Sequence, residues 1–243
     1  MVLADDNFAT IVEAVRGGRT IYDNITKFVS FQLATNLGAI LTIVTASLML
    51  WPDAGTAFFT PLAILWVNLI MDGPPAMALG VDPPGPDAMH RPPRPRESRI
   101  LDLPRFLRLG AIGTVMAVGT LAVHRWATAS GEGAEGTARA ATMAFTTFVL
   151  FQVFNLHNAR FPHRSVLGRH SFTNAKLWIA LAAVVVLQIA AATWSPLQRL
   201  FTGADAAADL SLTDWLVMVA VASTVVVFEE LRKLLARTRG ART

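Results

Sequence analysis

What most limits the folds open to this chain is the length of its apolar runs. Six of them lie near Phe28–Trp51, Phe58–Leu79, Leu103–Trp126, Ala140–Asn158, Ala175–Trp194 and Leu212–Phe228. Each is about 17–24 residues long, enough to cross a bilayer core as a helix. Lipid cannot satisfy backbone N–H and C=O groups, so runs of this length cross it as helices whose bonds are internal. The sequence therefore predicts an all-α membrane protein with six transmembrane helices. Charge supports this: 16% of the 243 residues are charged, against about 25% in soluble domains.

Ahead of the first run, Asp5-Asp6-Asn7 offers N-cap side chains for a helix starting near Phe8. Phe8, Ile11, Val12 and Val15, then Ile21, Ile25 and Phe28, recur at helical spacing, while Arg16, Arg19, Asp23 and Lys27 keep the other side polar. This predicts a short cytoplasmic stalk helix over 1–27 that enters the first span without a turn signal. Gly17-Gly18 weakens it locally and admits a bend. The polar, acidic N-terminus has no early apolar run, so no signal peptide is expected. Residues 28–230 form the transport domain in this reading and 231–243 a basic cytoplasmic tail.

Positive residues set the orientation. Arg91, Arg94, Arg96 and Arg99 follow the second span, Arg160, Arg164 and Arg169 follow the fourth, and Arg232, Lys233, Arg237, Arg239 and Arg242 end the chain. The opposite loops hold Glu132, Glu135, Asp205 and Asp209. Both termini are expected in the cytoplasm and the protein in the cell membrane. Prolines from Pro83 to Pro95 predict an extended, stiff loop, read as a solvated linker ahead of a docking strip. Ser130–Gly136 reads as a flexible acidic turn.

The absence of cysteine removes thiolate metal sites and thiol catalysis. The five histidines show no paired ligand spacing. The net charge of +4 reflects topology, and with no aromatic-basic interleaving no nucleic-acid partner is expected. The expected partner is the lipid bilayer.

Within the spans, Asp72 is the one interior acid. Insertion scales place such a residue at about 2.5–3.5 kcal/mol at a helix centre. Gly73-Pro74-Pro75 follow it at once and predict a second helix broken near Asp72–Pro75. Asn68 lies one turn earlier on the same face. A carboxylate and a carboxamide beside unwound backbone suit a hard cation such as calcium or manganese. Asn36, mid-span in the first segment, is either a third ligand or an interhelical hydrogen bond. Gln152 and Asn155 in the fourth either line a pathway or make packing bonds, and Gln188 reads as structural. Glu229 and Glu230 fall at a helix end where water is available. One carboxylate cannot balance a dication, so the set is incomplete.

These residues carry a resemblance. Asp5 to Val12 and Gly18-Arg19-Thr20-Ile21-Tyr22-Asp23-Asn24, Trp66 to Ala76, Asp82-Pro83-Pro84, Met89 to Arg94 and Phe228 to Lys233 resemble the C-terminal third, helices five to ten, of a P-type cation-transporting ATPase of the calcium-pump branch. The resemblance implies that Asn68 and Asp72 ligate the transported ion, with Asn36 as the fifth-helix Asn. Ala39, Met71 and Gln152 stand where two-site pumps carry Glu, Thr and Glu, which implies a single ion site. The Asp-Lys-Thr-Gly-Thr, Thr-Gly-Glu-Ser and Gly-Asp-Gly-x-Asn-Asp motifs do not occur. ATP and magnesium would then belong to the actuator, phosphorylation and nucleotide-binding domains of an N-terminal part that also holds the first four helices. The chain alone is expected not to hydrolyse ATP, and reads as a fragment, a split gene product or a truncated frame of this translocase. A membrane scaffold or partner protein without transport is the alternative.

Overall fold

A computed structural model describes residues 8–50, 59–71, 73–95, 100–204 and 206–240. The predicted cap at Asp5–Asn7, the span ends at Trp51 and Phe58, and Asp72, Arg96, Arg99, Asp205 and Arg242 lie outside the described residues. Among those described the structure is helical, with no strand.

Helix α1 (Phe8–Thr45) is one helix of 38 residues, followed by a π-helical turn over Ala46–Leu50. It runs through Gly17 and Gly18, where the predicted weak point has open space around it and no interruption of the helix. Helix α2 (Pro61–Met71) and α3 (Pro74–Gly80) form the second span in two pieces, as the Gly-Pro-Pro run predicts. Next come α4 (Leu103–Ala129), α5 (Gly133–Arg160), α6 (Ala175–Thr193), a short α7 (Ser195–Thr202) and α8 (Leu212–Gly240). Six helical stretches, with α2 and α3 counted together, are long and apolar enough to cross a membrane.

Lipid supplies no hydrophobic drive between helices, so close packing must hold the bundle. Where α1 meets α4, a Cβ on Gly113 would stand 2.9 Å from the Gly38 nitrogen, so only glycine allows this backbone approach. Met116 of α4, fully buried, fills the space beside Gly38. Helix α5 is the centre of the bundle: Phe145, Phe148, Phe151 and Leu156 all lie in the core, joined by Phe31 of α1, Leu79 of α3 and Val225 of α8.

Three local expectations change. The acidic turn shrinks, because α5 already starts at Gly133, with φ +69°. A Cβ on Gly136 would stand 2.6 Å from the Gly131 carbonyl carbon, so the two helices close on a glycine pair. Arg139 fixes this corner by donating to both Asp214 oxygens and to Ser130 Oγ. After α6 the chain forms α7, with Pro196 in its first turn and a left-handed Gly203 (φ +67°) at its end. Gln198 anchors α7 with bonds to the Ala192 and Ala208 carbonyls and from the Ala208 N–H. Finally, the proline loop is clasped to α1 rather than free. Arg19 donates to the carbonyls of Ala88 and Arg91, each at 2.7 Å, and the Arg94 guanidinium covers the Tyr22 ring at 3.8 Å.

Candidate ion-binding face

The first-span helix α1 and the broken-span helix α2 share one small cleft of about 30 Å³. Asn36 and Asn68 both open onto it, with Thr35, Ala39 and Val67 beside them and Phe148 of α5 on the lining. Neither asparagine is buried, so the cleft is on the outer face of the bundle. Thr35 is buried and its hydroxyl has no hydrogen-bond partner among the described residues. One turn earlier, Gln32 Oε1 is likewise buried and unpartnered. The region thus combines two exposed carboxamides with buried oxygens that have no partner among the described residues.

The backbone beside the cleft is opened by sequence chemistry. Pro74 and Pro75 have no N–H to offer the carbonyls of Ile70 and Met71, one helical turn back. A Cβ on Gly73 would stand 2.6 Å from the Leu69 carbonyl oxygen, so this joint admits glycine alone. The carboxylate that completes the motif, Asp72, is outside the described residues. Carboxamide, hydroxyl and carbonyl oxygens of this kind suit a hard cation. Among the described residues no group of three His, Asp or Glu side chains could hold a metal.

Gln152 and Asn155 are not part of this cleft. Both are buried within α5, and neither polar atom of the Gln152 side chain nor Asn155 Nδ2 has a partner among the described residues. Gln188 is structural, as expected: it donates to Thr146 Oγ1 at 3.1 Å and accepts from Trp66 Nε1 at 3.1 Å.

Sequence reasoning missed a second polar centre. Asp82, in the proline loop and only 5% exposed, accepts from Lys27 Nζ at 2.6 Å, Arg160 Nε at 2.8 Å and Asn174 Nδ2 at 3.0 Å. Asn24 donates to the Asp82 carbonyl, and Arg160 goes on to the Ser171 carbonyl and Thr173 Oγ1, each at 2.6 Å. One carboxylate thus ties α1, the end of α3, the end of α5 and the start of α6. Outside it, Arg91 bonds Asp23, which holds its guanidinium above the usual value. Glu229 also departs from expectation. It is fully buried, held by Arg108 at 2.7 and 3.0 Å and by Arg232, because α4 packs its first turns against α8. The available signal is that Arg108 and Arg160 sit at span ends, where an arginine can turn inward to a buried acid as well as outward to water.

Helices of this length and apolarity, the second span broken in the middle, define a multi-pass membrane domain. Residues 56–235 match the family described as "Cation transporting ATPase, C-terminus", and the chain belongs to this family, as the C-terminal transmembrane region of P-type cation pumps. It is 34% identical over 240 residues to Calcium-transporting ATPase 1 of Yarrowia lipolytica, covering 99% of this chain and 25% of that protein. It is 35% identical over 240 residues to Calcium-transporting ATPase 1 of Schizosaccharomyces pombe, covering 99% and 26%. With the human Calcium-transporting ATPase type 2C member 1 the identity is 35% over 239 residues, covering 98% and 25%. The chain therefore spans about a quarter of the length of the curated relatives it matches.

Proposed function

We propose that this chain is the ion-translocating C-terminal segment of an ATP-driven calcium transporter and supplies part of a single ion site. Asn68 and Asp72 are its ligands, with Asn36 contributing from α1. The observation that carries the reading is the shared cleft: Asn36 and Asn68 come from different helices, face outward together and border the break in the second span. In the same reading, the four-fold greater length of the relatives leaves room for the domains that bind ATP and magnesium and for helices that cover this face. Calcium follows from the relatives' names, while manganese suits the same oxygen donors. The basic loops and tail orient both termini to the cytoplasm, with 1–27 as a stalk under the phosphorylation domain and 231–243 as a tail. Gln152 and Asn155 then belong to a buried polar pathway behind the site.

The test is phosphoenzyme formation by a complete pump carrying this segment. Asp72→Asn abolishes calcium-dependent phosphorylation from ATP, while calcium-independent phosphorylation from inorganic phosphate survives. Wild-type calcium dependence in that variant would remove Asp72 from the site.

A further inference from the structure

Where α5 ends, α6 begins and α8 continues past Phe228, the bundle surface holds a groove of about 770 Å³. Its position at the ends of three spans puts it at the membrane–water boundary. Phe154, Trp178 and Val226 give it apolar walls, and of its two lining cations Lys233 is buried while Arg237 is exposed. The one acid on the lining, Glu230, is already bonded to Lys233 at 2.8 Å and to the Val166 N–H at 3.0 Å. Arg164 and Arg169, both exposed, flank the lining loop.

His157 closes one wall of the groove, its Nδ1 3.2 Å from the Val153 carbonyl and its ring 5.0 Å from that of Trp178. The lining therefore calls for an occupant with an apolar body and an anionic group. Leu167, Phe172 and Val227, all on the lining, are more than half exposed, as residues facing acyl chains are.

We propose that this groove binds an anionic glycerophospholipid of the surrounding bilayer. Its acyl chain lies along Phe154 and Val226, and its phosphate meets Arg237. The site is separate from the ion cleft, and its failure leaves the transport reading untouched. With Lys233 buried and paired to Glu230, Arg237 is the net cation facing the headgroup, which corresponds to roughly five-fold preference over a zwitterionic lipid.

The purified full chain, reconstituted in phosphatidylcholine vesicles, tests this through quenching of Trp178 by lipids with brominated acyl chains. A Trp178→Phe variant isolates that residue's share of the emission from the other five tryptophans. Brominated phosphatidylglycerol is expected to quench Trp178 at about five-fold lower mole fraction than brominated phosphatidylcholine. Arg237→Gln, an exposed change, shrinks the preference, and Val227→Phe, which narrows the groove, removes it. Equal quenching by the two lipids in the parent chain overturns the proposal. So does a preference that persists in the double variant Lys233→Gln/Arg237→Gln. Shielding of Trp178 from both lipids overturns it as well.

Discussion

Two polar regions of this bundle handle the same problem in opposite ways. Around Asp82 the carboxylate is enclosed, three side chains from three elements donate to it, and the cations that serve it are paired in turn. Around Asn36 and Asn68 the polar groups face outward, and Thr35 and Gln32 keep buried oxygens without partners. The first region is complete within the chain and holds helices together. The second is unsaturated, which a protein tolerates where a ligand or another segment supplies the missing donors or charge. Saturation, more than residue type, is what distinguishes these two regions.

The comparison is broken most forcefully at Arg160. Arg160→Ala leaves Asp82 with part of its charge uncompensated in a closed site, and thermal unfolding in detergent should show a loss of about 3–5 kcal/mol. Next comes Gly113→Ala, whose Cβ would press the Gly38 backbone at 2.9 Å. A loss of about 1–3 kcal/mol is expected by the same measurement. Arg91→Gln removes a half-exposed pair with Asp23, and its effect should stay below about 1 kcal/mol. Asn68→Ala should move stability least, within about 0.5 kcal/mol. In a complete pump the order inverts: Asn68→Ala raises the calcium concentration needed for half-maximal phosphorylation, and Arg91→Gln leaves it unchanged. A large stability loss in Asn68→Ala would show that the cleft is packing, and the contrast would collapse.

The legible part of the molecule was what depends on local chemistry. Apolar run length gave the spans, and the missing N–H groups of Pro74 and Pro75 placed the break between α2 and α3. Ala34 and Gly38 are small enough to let α1 approach another helix closely, and α4 does so. Less was legible where partners lie far apart in sequence. Asp82 sits among prolines and reads as a turn residue, and nothing nearby announces Arg160, 78 positions away. The same holds for Glu229 and Arg108, separated by 121. Helix α7 was missed because eight amphipathic residues between two spans carry too little periodicity. Its Pro196 and Gly203 were usable boundary signals. For the site, the pairing of Asn36 with Asn68 was expected from the resemblance, but their outward exposure follows only from which faces α4 and α5 cover.

The unbroken length of α1 has a mechanical consequence. Arg19, Asn24 and Lys27 all hold the helix to the loop that follows α3, and Gly38 packs it against α4. A continuous helix held at several points along its length resists pivoting and carries load along its axis. A push or pull applied at Phe8 is therefore transmitted to Asn36 along about 42 Å of unbroken helix. Gly17 and Gly18 lie on that path, so compliance there would absorb stroke before it reached Asn36.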